Sequence, residues 1–279
     1  MGDQAHARLE RLRQLLREMG GGANGGALVA YSGGVDSALL LKVAAQELPR
    51  DKLLAVTACS ETYPKTEIEQ ATMLAAQLGV AHEVMETAEL GLERFAANPP
   101  DRCYHCKQEL FGKLLARARE RGLQWVCDGS NHDDLGDWRP GMKAARELGI
   151  RSPLQEAGFT KTEIRALSRE LGLETWDKPS YACLASRFPY GERITPQALS
   201  RVEAAESFLR DLGFRQIRVR HHGEMARIEV EPREIARLAD PALRERIEAR
   251  LRELGYTYVA ADLRGYRSGS MNETLPGAG

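Results

Sequence analysis

The stretch ALVAYSGGVDS, residues 27–37, decides the fold. Residues 27–31 form a short apolar run that suits a buried parallel strand. The two glycines that follow let backbone N–H groups approach a phosphate without a Cβ in the way. A helix predicted over residues 37–47 adds N–H donors and the positive end of its dipole. We therefore interpret this stretch as a phosphate-binding loop between a strand and a helix.

This loop differs from the two most familiar nucleotide-binding loops. It has no lysine of the Walker A type and does not have the spacing Gly-x-Gly-x-x-Gly. The hydroxyls of Ser32 and Ser37 can donate to phosphate, whereas the carboxylate of Asp36 repels it. Asp36 is therefore predicted to bind magnesium or to fix the shape of the loop. A plain turn at Gly33-Gly34 is the alternative, but the preceding strand and the following helix favour the phosphate loop.

Strands and helices alternate along the first two-thirds of the chain. Apolar runs predict strands at 27–31, 53–58, 81–85 and 124–127. Helical spacing of apolar residues predicts helices at 5–19, 64–78, 103–121, 140–148 and 161–171. This order predicts an α/β fold with a doubly wound parallel sheet. Residues 174–196 are interrupted by proline and glycine, and we interpret them as a long ordered loop.

The pattern changes after residue 195. Residues 197–212 and 241–254 predict helices, and residues 217–220, 226–230 and 257–261 predict strands. The first two of these strands alternate apolar and polar residues, which is typical of half-buried strands. We therefore predict two domains: a phosphate-loop domain over residues 1–195, and a small α+β domain for substrate binding or oligomerisation over residues 196–279.

The composition and charge are those of a globular protein. The chain has 279 residues, of which 43% are hydrophobic and 28% charged, with a net charge of −1. This charge predicts no recruitment of nucleic acid by a global field. No N-terminal apolar region predicts a signal peptide, and no stretch reaches the roughly 20 apolar residues that span a bilayer. We expect a cytoplasmic protein that does not bind membranes, with its five cysteines reduced.

Three cysteines stand out by their surroundings. Cys103 and Cys106 open a predicted helix, where they share one face and where a thiolate is favoured. Two thiols do not complete a zinc site, whereas a 4Fe–4S cluster can use three if one iron takes an external ligand. Cys183 lies in a proline-bounded loop with basic neighbours and is a candidate third ligand. A structural or zinc pair, and a buried small side chain, remain alternatives for these positions. Cys59 and Cys127 are predicted to be core residues.

The hexapeptide Ser32–Ser37 resembles the pyrophosphate loop of the N-type ATP pyrophosphatases, also called PP-loop enzymes. This resemblance implies cleavage of ATP between the α and β phosphates, adenylylation of a substrate oxygen and an adenine nucleotide alpha hydrolase-like fold. Five segments carry a wider resemblance, residues 30–37, 128–134, 176–187, 218–223 and 265–272. Together they resemble the LarE family of ATP-dependent sulfur transferases and span nearly the whole chain.

The LarE resemblance implies a specific reaction. These enzymes act in the synthesis of the nickel-pincer nucleotide cofactor of lactate racemase, where a carboxylate of a pyridinium dicarboxylate mononucleotide is adenylylated and converted to a thiocarboxylate. In one branch, the cysteine matching Cys183 gives up its own sulfur and becomes dehydroalanine. Another branch has cysteines matching Cys103, Cys106 and Cys183, which are thought to hold a 4Fe–4S cluster with a transferable sulfide. Because this sequence has all three cysteines, we predict the cluster branch, with Cys183 as the catalytic cysteine.

The resemblance also assigns binding residues. It implies ATP and Mg²⁺ as further cofactors, with the pyrophosphate held by Ser32, Gly33, Gly34, Asp36 and Ser37. The segment Asp128-Gly129-Ser130 follows a strand, where ligands bind in open α/β sheets, and is predicted to contact ATP or magnesium. Arg218 and Arg220 share one face of a strand, and their guanidinium groups suit a substrate phosphate. Without the resemblance, a solvated strand face is the simpler reading of these two arginines. The weaker substrate-binding candidates are Glu206, Tyr266 and Arg267.

Other functions use similar motifs. A tRNA thiolase of the same superfamily is the nearest alternative, but the chain has no basic stripe or recognisable RNA-binding module. An amidotransferase-type synthetase would need an ammonia source, and no glutaminase domain is evident. A nucleotide-sensing protein with structural zinc and no catalysis is the third alternative. The family further suggests a homo-oligomer and a protein that supplies replacement sulfur.

Overall fold

The computed structural model describes residues 3–22, 25–60, 62–63, 65–136, 140–179, 182–267 and 269–274. The chain forms two compact units, one from residues 1–89 and 103–180 and the other from residues 90–102 and 181–279. The predicted boundary lay between residues 195 and 196. The second unit instead begins at residue 181 and takes in residues 90–102, because backbone and side-chain hydrogen bonds join Ala96 and Asn98 to the segment 188–194.

A parallel sheet forms the centre of the first unit. Its strands are β1 (Ala27–Ala30), β2 (Leu53–Cys59), β3 (Ala81–Glu86) and β4 (Trp125–Cys127), in the spatial order β3-β2-β1-β4. All three neighbouring pairs are parallel, with Leu28 opposite both Leu54 and Val126. The predicted α/β fold with a parallel sheet is confirmed. Parallel strands end at the same edge, so the residues after β1 and β4 are neighbours.

The predicted helices lie close to their predicted positions, and short helices at Glu93–Ala96, Pro153–Glu156 and Ile235–Leu238 were not predicted. Their bounds are α1 Asp3–Gly20, α2 Val35–Glu47, α3 Lys65–Gln77, α4 Glu93–Ala96, α5 Arg102–Glu120, α6 Pro140–Glu147, α7 Pro153–Glu156, α8 Lys161–Glu170, α9 Pro196–Asp211, α10 Ile235–Leu238 and α11 Pro241–Glu253. The segment predicted as a long loop contains 3₁₀ turns at Glu174–Asp177 and Leu184–Arg187. Within the described ranges, no helix is both long and apolar enough to cross a membrane.

The sheet of the first unit is covered on both faces. Val29 packs into a cluster with residues of α1, α2 and α8, including Leu16, Leu40 and Leu167. Its neighbour Leu28 points the other way and packs with Phe111 of α5. Adjacent strand residues face opposite sides of a sheet, so burial of both explains why β1 is uniformly apolar.

The second unit contains a small mixed sheet. Strands β5 (Ile217–His222), β6 (Met225–Val230) and β7 (Tyr258–Ala261) lie in that order, with β5 and β6 antiparallel and β6 and β7 parallel. The prediction of half-buried strands is wrong for β5, whose residues 217–221 are all buried. Its polar residues are buried because α9 and the turn Leu184–Arg187 pack against the strand, and the arginines are paired inside the unit.

Candidate active site

The phosphate loop connects the carboxyl end of β1 to the first turn of α2. Gly33 has φ 71°, and a Cβ at this position would lie 3.0 Å from the Cβ of Ala71. Both the backbone conformation and the close approach of α3 therefore favour glycine. Gly34 is the N-cap residue of α2 and has no side chain with which to cap the first N–H groups. These donors are suited to a phosphate.

The two loop serines hold the loop in shape. The Oγ atoms of Ser32 and Ser37 are 3.1 Å apart, and the Ser37 hydroxyl donates to the carbonyl of Gly34 at 3.2 Å. The backbone N–H of Ser32 donates to Ser37 Oγ at 3.3 Å. These bonds connect the first residue of the loop, Ser32, to its last residue, Ser37. They preorganise the backbone in the conformation that a phosphate site requires.

Asp36 faces a cation from a distant part of the sequence. Its carboxylate forms an ion pair with Lys161, the first residue of α8, and accepts a 3.3 Å hydrogen bond from Asn131 Nδ2. Lys161 was not predicted as a site residue. The capping box of Thr160 and Glu163 predicts that a helix starts at Lys161, but it does not indicate that this helix starts next to the loop.

A second lysine, Lys178, contacts the backbone of the phosphate loop. Lys178 Nζ donates to the carbonyl of Gly33 at 3.3 Å and to Gln70 Oε1 at 3.0 Å, and it pairs with Glu67 at 2.7 Å. Both charged side chains of this pair are largely buried. Lys178 thus links the loop backbone to α3, and its contacts indicate a structural role.

The segment after β4 reaches the phosphate loop, in line with its predicted position. Asp128 accepts hydrogen bonds from the hydroxyls of Ser130 at 2.8 Å and Ser152 at 2.7 Å. A Cβ on Gly129 would lie 3.0 Å from the backbone nitrogen of Ser37 and 3.1 Å from its Cα. Gly129 therefore allows the segment after β4 to pack against the phosphate loop. The hydroxyls of Ser130 and Ser152 hold the neighbouring Asp128 carboxylate in place.

Replacing Gly129 with alanine is expected to push on the backbone of Ser37, because the added Cβ meets main-chain atoms that cannot rotate away. We expect a loss of about 1–3 kcal/mol in the free energy of unfolding, together with weaker ATP binding. Urea unfolding and ATP titration measure the two effects. Gly112→Ala is the matched control, since a Cβ on this exposed residue of α5 meets open space. Equal behaviour of the two variants would contradict the proposed contact.

Two of the predicted thiols lie in the first turn of α5. Cys103 is exposed, and the Sγ of Cys106 lies 4.0 Å from Glu89 Oε1. The same oxygen of Glu89 accepts a 2.8 Å hydrogen bond from Thr87. All five cysteines lie among the described residues and are thiols, not disulfides. Cys127 is fully buried, as predicted for a core residue, and burial raises the pKa of its thiol.

Cys183 belongs to the second unit, where a buried arginine shapes its backbone. The guanidinium of Arg187 donates to the carbonyls of Ala182 at 2.6 Å and Cys183 at 3.1 Å. It also forms a bidentate pair with Glu206, with both N–O distances 2.8 Å. Neither side chain of this pair is exposed to solvent. The 3₁₀ turn Leu184–Arg187, together with the preceding Cys183, is called the Cys183 turn below. An ion pair within the second unit therefore fixes its conformation.

Glu206 has an internal role in the structure. Its Oε1 also accepts a 3.0 Å hydrogen bond from the backbone N–H of Val219. Burial alone would raise the pKa of this carboxyl, but the charge and hydrogen bonds of Arg187 hold it below its ordinary value. Glu206 is thus an ionised carboxylate that links α9, β5 and the Cys183 turn.

Arg218 and Arg220 are both buried, so the alternative of a solvated strand face is wrong. Arg220 makes a bidentate pair with Glu229 at 2.9 and 2.8 Å and also donates to Ser186 O and Ser270 Oγ. The guanidinium of Arg218 lies 5.1 Å from the ring centre of Tyr266. Burial, with the nearby charge of Arg187, lowers the pKa of Arg218 to about 10.

The last predicted residue, Arg267, is engaged with acidic neighbours. It pairs with Glu273 at 3.0 Å and with Asp262 at 3.4 Å, and it donates to the carbonyl of Gly265. Over the ranges that the structure describes, no three His, Cys, Asp or Glu side chains are grouped as a metal site. The second unit contains one cysteine, Cys183, and the first contains the other four.

The fold and the loop together define an ATP-using enzyme of the PP-loop class. A family model for NAD synthase matches residues 5–124. The chain is 43% identical to the pyridinium-3,5-bisthiocarboxylic acid mononucleotide synthase of Lactiplantibacillus plantarum, covering 88% of this chain and 89% of the relative. It is 46% identical to an uncharacterised protein of Synechocystis sp. (96% and 98% covered), and 30% identical to one of Methanocaldococcus jannaschii (86% and 90% covered). The chain therefore belongs to the LarE family, that of the L. plantarum synthase.

Proposed function

We propose that this protein is an ATP-dependent sulfur transferase that converts a carboxylate of a pyridinium dicarboxylate mononucleotide to a thiocarboxylate. The observation that carries the proposal is the identity to the L. plantarum synthase over nearly the full length of both chains. The phosphate loop supports the ATP-using half of the reaction, and the thiol of Cys183 supports the sulfur half.

In the first step, a carboxylate oxygen of the substrate attacks the α-phosphorus of ATP. The bond from this phosphorus to the bridging oxygen breaks, and pyrophosphate leaves with the electron pair. The N–H groups at the start of α2 and the hydroxyls of Ser32 and Ser37 hold the β and γ phosphates. Mg²⁺ would neutralise part of the phosphate charge, with Asp36 as its ligand. Asp128 and Ser130 lie beside the same loop and complete the nucleotide site.

In the second step, a sulfur nucleophile attacks the carbonyl of the acyl adenylate and AMP leaves. We propose that Cys103, Cys106 and Cys183 hold a 4Fe–4S cluster, which when bound supplies a replaceable sulfide. The donor chemistry fits, because all three side chains are thiols and two of them lie three positions apart near the start of α5. Arg187 would keep the Cys183 backbone in one conformation during this step.

The substrate phosphate is assigned to Arg218 in this proposal. Its buried, positive guanidinium lies 5.1 Å from the ring centre of Tyr266 and donates to the carbonyl of Ile217 at 2.7 Å, and a guanidinium presents several N–H donors that match phosphate oxygens. Arg220, Glu206 and Arg267 are bonded to internal partners, and we propose that they position the Cys183 turn and the neighbouring strand. We further propose that the protein is a homo-oligomer in the cytoplasm and that another protein supplies the replacement sulfur.

A second candidate, in which Cys183 gives up its own sulfur, is favoured by one contact. Arg187 Nη1 donates to the carbonyl oxygen of Cys183 at 3.1 Å. In this candidate the Cys183 thiolate attacks the acyl adenylate, and AMP leaves to give a thioester. Transfer of the Cα proton of Cys183 to a water molecule would then place negative charge on this carbonyl oxygen, and the guanidinium would stabilise it. The electron pair would then form the Cα–Cβ double bond as the Cβ–S bond to the acylated sulfur breaks. Cys183 would become dehydroalanine, and each chain would act once.

Iron analysis of anaerobically purified protein separates the two candidates. We expect about four irons and matching acid-labile sulfide per chain, lost on changing Cys103, Cys106 or Cys183 to serine. Cys59→Ser is the matched control and should keep its iron. Protein that stays iron-free after reconstitution would contradict the cluster. A mass loss of one hydrogen sulfide at Cys183 after a single turnover would then establish the second candidate.

A further inference from the structure

Lys161 contacts the phosphate loop, and the reaction proposed above gives it no role. Its ammonium is paired with Asp36, which lies between Val35 and Ser37 in the first turn of α2. The loop itself contains no lysine, although the phosphates of ATP carry several negative charges. We propose that Lys161 leaves Asp36 when ATP binds and contacts the β and γ phosphates. This inference rests on the proposed use of ATP at residues 32–37.

The backbone of Lys161 is held in place, whereas its long side chain can rotate. The backbone N–H of Lys161 donates to Asp133 Oδ2 at 2.8 Å, and the capping box of Thr160 and Glu163 holds the start of α8. The four-carbon stem beyond this anchor carries a compact charge on rotatable bonds. The Lys161 ammonium can therefore move from the Asp36 carboxylate to a phosphate without any change in the backbone.

The two lysines at the loop differ in how firmly they are held. The Lys178 side chain is 13% exposed and bonds to Glu67, Gln70 and the loop carbonyl. The Lys161 side chain is 33% exposed, and its partner Asp36 is 22% exposed. A partly solvated ion pair contributes little to stability, so exchanging one anion for a more highly charged one is favourable. Lys161 is thus the lysine that is suited to exchange.

Release of Lys161 has a consequence for Asp36. While the ion pair lasts, the carboxylate that we assign to Mg²⁺ is neutralised by an ammonium. When Lys161 turns to the phosphates, the carboxylate loses its positively charged partner and can bind Mg²⁺ beside the same phosphates. Lys161 and Mg²⁺ therefore bind the nucleotide together, and each ceases to compete for Asp36.

Calorimetric titration of the full chain with inorganic pyrophosphate, without divalent metal, tests the inference. We expect Lys161→Met to weaken binding about tenfold to a hundredfold, because it removes a charge-assisted hydrogen bond. Lys161→Arg should keep most of the affinity. Lys143→Met is the matched control, since it removes one positive charge from an exposed helix of the same unit and should bind like wild type.

Asp36→Asn provides a readout that a structural role of the pair would not produce. It removes the anion that competes with pyrophosphate for Lys161, so we expect metal-free binding to become tighter while the gain from added Mg²⁺ is lost. Unchanged pyrophosphate affinity in Lys161→Met, or weaker metal-free binding in Asp36→Asn, would overturn the inference and leave the proposed function standing. Wild-type protein that binds neither pyrophosphate nor ATP would overturn both.

Discussion

Replacing Arg187 with methionine is expected to lower the free energy of unfolding by about 3–5 kcal/mol, the cost of leaving a buried charge without its partner. Methionine fills much of the same volume but cannot pair with Glu206, which is fully buried and bonded to Val219. The carbonyls of Ala182 and Cys183 lose their donor in the same change. Urea unfolding followed by circular dichroism measures the loss.

A surface pair of the same unit serves as the control for this variant. Arg193 and Glu93 form a well-aligned bidentate pair, but both side chains are more than half exposed. Arg193→Met is therefore expected to cost less than about 1 kcal/mol. The double variant Arg187→Met with Glu206→Gln should recover part of the loss, because it also removes the buried carboxylate that the first change leaves without its partner. Equal costs for Arg187→Met and Arg193→Met would show that the buried pair does not stabilise the fold.

Replacing Cys183 with serine is expected to abolish thiocarboxylate formation while AMP release continues. The hydrogen bonds that hold the phosphate loop join residues of the first unit, namely Ser32 with Ser37, Asp36 with Asn131, and Gly33 with Lys178. The acyl adenylate should therefore still form, and water would hydrolyse it to return the carboxylate. Coupled measurement of AMP and thiocarboxylate separates the two steps.

Two outcomes would contradict this division of roles. Cys183→Ser protein that still makes thiocarboxylate would show that another sulfur is used. Loss of AMP release along with the product would show that Cys183 is needed to form the adenylate. Cys59→Ser is the control, because this half-buried cysteine at the end of β2 has no assigned part in the reaction.

The first unit could be predicted well because its signals are local. A uniformly apolar β1, the glycine loop and the following helix are contiguous in the sequence and depend on short-range chemistry. The same holds for the alternation that indicates a parallel sheet. Leu28 and Val29 show why the pattern is clear, since neighbouring residues are buried on opposite faces of the sheet.

The partners of charged residues could not be predicted from local pattern. Lys161 and Asp36 are 125 positions apart, so no sequence spacing links them. Arg220 looks like a ligand-binding residue on its strand, but its partner Glu229 lies on the antiparallel strand β6 and buries the charge. Residues 90–102 join the second unit through hydrogen bonds of Asn98 to Phe188 and Pro189, which no hydrophobic periodicity reveals.

The most direct test of the account is the product formed from ATP, Mg²⁺ and pyridinium-3,5-dicarboxylic acid mononucleotide by anaerobically purified protein. Mass spectrometry of the nucleotide and quantification of AMP would be made on the same reaction. We expect replacement of a carboxylate oxygen by sulfur, with AMP and pyrophosphate formed for each sulfur transferred. AMP release without any sulfur in the nucleotide, from protein that carries its full complement of sulfide or thiol, would contradict it.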